Sequence, residues 1–280
     1  MKKYLISFIL FFDRFCLRWI ISVLLSLAGF FFKDGVKFVY YSNKAWIHYF
    51  KEIILCEPQP RLRNYHVKEI YNKYLWGFLY KPKKKDIIVD IGAGIGSETI
   101  FFSDKVGKFG KVFSVEAHPR IFKFLKRSID LNSFLQTKAI NLAVSNRNEK
   151  VFIENNTKDY LGNTIFSKNN AIEVQAKTIK DIAKNFNISK IDFLKINIEG
   201  AEMMALSGMG KLIKKTKYIC VSCHDFKYLR TGNKFYRTKK KVKQFLLRNN
   251  FKILQRPKTK NPAINDQINA YNQNIIRLKK

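Results

Sequence analysis

An α/β fold, with helices on both faces of a mostly parallel sheet, is the class this sequence predicts, and three observations predict it. From residue 86 onward, short β-rich runs alternate with amphipathic runs of helical spacing, and strands joined by crossover helices give parallel sheets covered on both sides. The first strand, "DIIVDIG", runs into a glycine-rich turn and then a helix, which presents backbone amides to a ligand at the carboxyl edge of the sheet. A later strand, "DFLKIN", ends in a polar cluster of Asn197, Glu199 and Glu202, at the edge where open sheets bind ligands. The 280 residues are 46% hydrophobic, enough for a packed core. They divide into a helical N-terminal extension over residues 1–56 and the α/β domain over residues 57–280.

The extension is the most lipophilic part of the chain. Lys2 and Lys3 precede an apolar run as in a signal peptide, but Asp13, Arg14 and Arg18 interrupt it and no small-residue cleavage site follows promptly. Trp19 to Phe32 is an uncharged stretch of 14 residues, short of the roughly 20 that span a bilayer, so an interfacial or re-entrant anchor is expected. The segment from Val36 to Leu55 places Val36, Val39, Tyr40, Trp46, Ile47, Phe50, Ile53 and Ile54 on one broad helical face, with Lys37, Lys44, His48 and Lys51 opposite. It reads as a helix with His48 exposed. Residues 4–55 together form the expected contact with a membrane surface, the alternative being helices packed on the protein's own globular domain or on a second copy. Pro58 and Pro60 mark the boundary, and a further helix is expected from Tyr65 to Leu79.

Within the domain, "DIIVDIG", "KVFSVEA", "KAINLAV", "IDFLKIN", "KYICVSC" and "FKILQ" read as strands, "EKVFIEN" with "IEVQAKT" as a hairpin or two extra strands, and "QNIIRL" as the closing element. Helices are expected at "SETIFFSDKV", "PRIFKFLKRSIDLN", "KDIAKNFN" and "KKVKQFLLRNN". The net charge of +32 suits an anionic surface, although a lysine- and asparagine-rich composition also follows from nucleotide bias, and runs such as Lys83–Lys85 and Lys239–Lys241 read as solvated faces. Four cysteines in a chain this long are no disulfide framework. Cys220 and Cys223 form a C-x-x-C inside a strand, where residues three apart face opposite ways, so no zinc or redox pair is expected.

The turn "VDIGAGIGSE" has glycines at 92, 94 and 96, with Ser97 where the dinucleotide fingerprint wants glycine, and no phosphate-loop lysine follows. Glu116 ends the second strand, where a carboxylate can hold vicinal ribose hydroxyls.

"IIVDIGAGIGSETIFFS" followed by "VFSVEAHP" resembles the cofactor-binding half of S-adenosylmethionine-dependent methyltransferases. "NLAVSN", "VQAKTIKDI" and "DFLKINIEGAE" are similar specifically to the FkbM family, over roughly residues 65–255. The resemblance implies a Rossmann-like class I methyltransferase fold, with S-adenosylmethionine as cofactor. It assigns Asp90, Gly92, Gly94 and Gly96 to the methionine part of the cofactor and Glu116 to the ribose. The segment around Ala143 to Asn146, including Ser145, falls to the adenine. The family pattern Lys-Ile-Asp-Val-Glu-Gly-Ala-Glu reads here from Lys195 to Glu202 with Asn197 in the aspartate's place. Asparagine is no general base.

The candidate catalytic residues are therefore Asn197, Glu199 and His224, the last having an ordinary pKa suited to a base. No metal is expected. The expected reaction is O-methylation of a hydroxyl on a glycan, lipid-linked sugar or small metabolite, with the catalytic domain membrane-associated and facing the cytoplasm, where the cofactor is found. Asn197 motivates a non-catalytic, membrane-associated alternative. An RNA methyltransferase is a weaker third, because the Asn/Asp-Pro-Pro-aromatic motif of base-amino methylation is missing after the fourth strand and nucleic acid is not an expected partner.

Overall fold

The computed structural model describes residues 17–31, 36–50, 53–60, 75–155 and 171–276. Its central sheet has seven strands. In chain order they are β4 (Ile87–Ile91), β5 (Lys111–Glu116), β6 (Thr137–Asn141), β10 (Ile191–Ile196), β11 (Thr216–Ser222), β12 (Phe251–Leu254) and β13 (Gln267–Asn272). Across the sheet the order is β12-β13-β11-β10-β4-β5-β6, with β13 antiparallel to both neighbours and every other contact parallel. Chain direction across the sheet reverses between β4 and β10, which creates a crevice at their carboxyl ends. This is the expected Rossmann-like arrangement.

Helices α2 (Ser97–Val106) and α3 (Pro119–Leu131) follow β4 and β5, and α4 (Ile179–Asn185), α5 (Glu202–Ser207), α6 (Asp225–Thr231), α7 (Lys239–Arg248) and α8 (Pro262–Asn265) complete the domain. One face of the sheet packs Val89, Ile91, Leu194 and Val221 against Ile182 of α4, Leu206 of α5 and Leu246 of α7. The other packs Ile88, Phe193 and Cys220 against Phe101 and Phe102 of α2 and the ring of Tyr80. Cys220 and Cys223 fall in these two different clusters, on opposite faces as their spacing requires. Burial pushes the Cys220 thiol up to about 12.

The sequence expectation fails in three places. "KAINLAV" is two strands, β6 and β7 (Ala143–Val144); β7 leaves the main sheet to join β9 (Ala171–Lys177), which pairs antiparallel with β8 (Glu149–Glu154). The closing strand is β13, "QINAYN", one step before "QNIIRL". The expected helix over 36–55 is instead a three-stranded antiparallel sheet, β1 (Phe38–Ser42), β2 (Ala45–Tyr49) and β3 (Ile54–Glu57). Asn43 and Lys44 both have positive φ, 46° and 60°, the backbone of a two-residue hairpin turn, and the flanks are rich in β-branched and aromatic residues. Because β2 is covered on both sides, Trp46 packing with Ile21 and Leu25 and Ile47 with Ile121 and Phe124, no period-two alternation shows. His48 is consequently fully buried, stacked on Phe50. Most of the expected Tyr65–Leu79 helix lies outside the described residues.

The first described helix is α1 (Arg18–Phe30), with 13 residues. It packs on β1, where Ser26 Oγ accepts the Val39 N–H at 3.0 Å. The edge of β3 is received by α3: Ser128 Oγ accepts the Cys56 N–H at 2.9 Å, and Asn132 bonds both backbone groups of Ile54. No helix of the described residues is long and apolar enough to cross a membrane.

Candidate active site

The site grows from the turn after β4. Gly92 and Ala93 both donate to Val115 O, at 2.9 and 3.0 Å, folding the turn back over β5. Gly92 has φ +75°, and a Cβ there would lie 2.0 Å from the carbonyl oxygen of Asn197, so only glycine lets the two turns touch. Gly96 caps α2 in the left-handed region, at φ +94°, where a Cβ would lie 2.8 Å from Leu125 Cδ1 of α3. The cradle thus abuts the "NIEGAE" turn directly, and Asn197 N donates to Ile91 O at 3.0 Å.

Glu116 spans the mouth of this cradle. Its two carboxylate oxygens accept from Gly94 N and His118 N, each at 2.9 Å. Burial pushes the carboxyl above the ordinary value, with those two N–H groups pulling the other way. Asn141, at the end of β6, donates to the carbonyls of Glu116 and Ala117 and fixes that corner. His118 caps α3, its Nδ1 accepting from Arg120 N at 3.2 Å, and burial lowers its pKa.

Beneath the cradle lies a buried ion pair. The parallel register sets Lys195 beside Asp90, and Lys195 Nζ sits 2.8 Å from Asp90 Oδ1 and donates to Gly92 O at 2.8 Å. Thr99 donates to the other Asp90 oxygen. Burial works against the Lys195 ammonium, but Asp90, Glu98 and Glu116 outweigh it and raise its pKa. Asp90 is therefore a support of the glycine turn with no exposed surface to offer a ligand, a correction to its assignment as a contact. Of the two sequence readings of Lys195, a snorkelling side chain or a partner for a carboxylate, the structure has the second, with Asp90 as the carboxylate.

A second ionic cluster holds the "NIEGAE" turn. His224 Nδ1 is 2.7 Å from Glu202 Oε1, and its Nε2 is 3.3 Å from Glu199 Oε1. Glu202 also accepts the Gly200 N–H at 2.8 Å. Burial would lower the His224 pKa, but the two glutamates outweigh it and lift it to about 9. His224 is thus an imidazolium near neutral pH, and the geometry makes it a clamp where a base was expected. Burial would raise the Glu199 pKa, but His224 and Lys227, the latter 2.5 Å away, hold it below the ordinary value. Glu199 sits at φ +53°, a strained backbone fixed by this network. Phe235 lies over Gly200, and Lys227 faces the ring of Tyr236 at 5.5 Å, giving the crevice an aromatic wall.

Asn197 is partly exposed at the centre, and its side chain makes no hydrogen bond among the described residues. Ala143 packs with Ala117 and Ile198 beside the Glu116 corner. Ser145 does not join them: it is fully buried, its hydroxyl donating to Glu149 Oε1 at 2.9 Å and its carbonyl against Gly208. The strand break at Leu142 turned it away. No group of His, Cys, Asp and Glu among the described residues could hold a metal ion.

A family model described as the methyltransferase FkbM domain matches residues 90–253, more than half of the chain. The chain belongs to the FkbM methyltransferase family. S-adenosylmethionine is the cofactor this membership implies, and the cradle fits it: a glycine turn open to close approach, an α2 amino end and a ribose-type carboxylate converge at one crevice. None of the curated proteins matches. Among solved structures, the FkbM methyltransferase of Methylobacillus flagellatus is 21% identical, with a TM-score of 0.45, over 70% of this chain and 45% of that one. Aeropyrum pernix fibrillarin, solved with S-adenosyl-L-methionine, is 13% identical at a TM-score of 0.46, over 84% and 98%. A Thermotoga maritima S-adenosylmethionine-dependent O-methyltransferase is 12% identical at 0.42, over 79% and 69%.

Proposed function

We propose that this family member methylates a hydroxyl oxygen of a glycan, lipid-linked sugar or small metabolite. The observation carrying the reading is the direct abutment of the Gly92 cradle and the Asn197 turn, which brings a cofactor site and an acceptor site into one crevice. Bound there, S-adenosylmethionine supplies an electrophilic methyl group on a sulfonium. The residues of the chain do the rest: Glu116 takes the ribose hydroxyls, the turn's N–H groups and Gly92 backbone line the remainder, and Lys195 keeps the turn closed. Ala143 flanks the adenine end.

At the acceptor side, Asn197 donates or accepts one hydrogen bond to orient the hydroxyl. Glu199, held ionised by His224 and Lys227, takes the proton that the hydroxyl oxygen sheds as its bond to the methyl carbon forms, when that oxygen is far more acidic than a free alcohol. His224 and Lys227 fix the direction of that carboxylate, and the aromatic wall excludes water.

The test is transfer of a tritiated methyl group by the full chain to a panel of glycans, polyprenyl-linked sugars and small alcohols. Labelled ether is the expected product, falling about 100-fold or more in Glu199→Gln. A second reading, a binding module without catalysis, is favoured by Asn197 and by the low proton affinity of Glu199. Label from Asn197→Asp but none from the natural chain would establish it.

A further inference from the structure

Fourteen large apolar side chains stand exposed among the described residues, and seven of them lie between residues 19 and 38: Trp19, Val23, Leu24, Leu27, Phe30, Phe31 and Phe38. The pattern is a helix with two apolar faces. Ile21, Leu25 and Gly29 of α1 point into the protein, while Trp19, Val23, Leu27 and Phe30 recur at helical spacing on the outside, at 66, 50, 58 and 86% exposure. A helix apolar all round is normally enclosed; this one borders an open groove of about 600 Å³ shared with Phe38, Tyr40 and Tyr41 of β1. A patch of this kind marks a docking surface.

We propose that this face of α1 and β1 docks the protein on an anionic lipid bilayer, its apolar side chains entering the boundary between headgroups and acyl chains. Charge selects this occupant. A chain of net charge +32 is drawn to an anionic surface and is repelled by a second copy of itself. Length sets the mode of contact: 13 helical residues rise only about 20 Å, against a hydrocarbon core of about 30 Å, so α1 lies in the interface. The flanks suit that depth. Arg18 sits over the ring of Tyr41 at 4.0 Å, Lys37 and Lys44 are exposed at the two ends of the first hairpin strand, and tryptophan and tyrosine belong at the headgroup level.

The inward face of the same helix packs toward the cofactor crevice. Ile21 and Leu25 share one apolar cluster with Trp46, Leu125 of α3 and Ala93 of the glycine turn itself. A cytosolic cofactor places the docked face on the cytoplasmic leaflet, within reach of an acceptor held in that leaflet.

The experiment is co-sedimentation of the full chain with phosphatidylcholine vesicles with and without phosphatidylglycerol, alongside quenching of its fluorescence by brominated lipid. Trp46 and Trp76 are buried, at 2 and 3% exposure, so lipid quenching reports Trp19. The expected results are binding to the anionic vesicles, quenching, and at least about tenfold weaker binding in the double variant Val23→Glu, Leu27→Glu, whose substitutions sit in solvent and leave the melting curve in place. Vesicle binding unchanged in that variant, or unquenched fluorescence on bound vesicles, would overturn the proposal. So would a dimer in solution that the same variant dissociates, which would give the face to a second copy.

Discussion

The crevice at the carboxyl ends of β4 and β10 and the outer face of α1 treat solvent in opposite ways. In the crevice, Asp90 is answered by Lys195, and Glu199 and Glu202 by His224. On the outer face, Trp19, Leu27 and Phe30 stand in the open with only Arg18 as a charged neighbour in α1. The contrast teaches that buried charge here fixes the shape of two turns, at the cost of desolvation, whereas the exposed apolar surface does little for the folded chain in water.

The largest effect should come from Lys195→Met, which leaves Asp90 buried beside no cation and Gly92 O without its donor. Removing one partner of a buried pair costs about 3–5 kcal/mol, read as a lowered urea midpoint. A Lys195→Met midpoint equal to that of the natural chain would mean the pair does not hold the turn.

The His224 clamp should appear as a pH limb. Its folded-state value of about 9 lies above the ordinary 6.5, so its contribution is full below pH 6.5 and is lost as pH rises through about 9, by up to about 3 kcal/mol. Thermal melts from pH 6 to 10 should show that loss in the natural chain. His224→Gln should begin less stable and lack the limb.

Smaller effects belong to the N-terminal elements. Lys44→Gly, at φ +60° in the β1–β2 turn, should stabilise by about 1 kcal/mol as the left-handed strain is relieved. Smallest of all, Val23→Glu should change the unfolding free energy, read from urea titration, by no more than about 0.5 kcal/mol while weakening vesicle binding. A large loss of stability there would mean that the outer face is part of the core.

The same division governs what the sequence made legible. The alternation of strand and helix, the glycine turn and Glu116 were readable because each is a local signal: a period, a spacing, a residue at a strand end. Asn197, Glu199 and His224 were correctly placed on one edge, but the imidazolium state of His224 depends on Glu202 meeting it through the fold. Ser145 was misplaced because β7 leaves the sheet after Leu142. The β1–β3 sheet was missed because apolar residues on both faces of β2 imitate a helical stripe, and the turn at Asn43 and Lys44 carries no glycine.

The most direct test of the crevice as a cofactor site is calorimetric titration of S-adenosylmethionine into the full chain and into Glu116→Ala. Binding by the natural chain, weakened about 100-fold by loss of two charge-assisted hydrogen bonds to the ribose, is the predicted result. Equal affinity in the two proteins, or no binding by the folded natural chain, would contradict it.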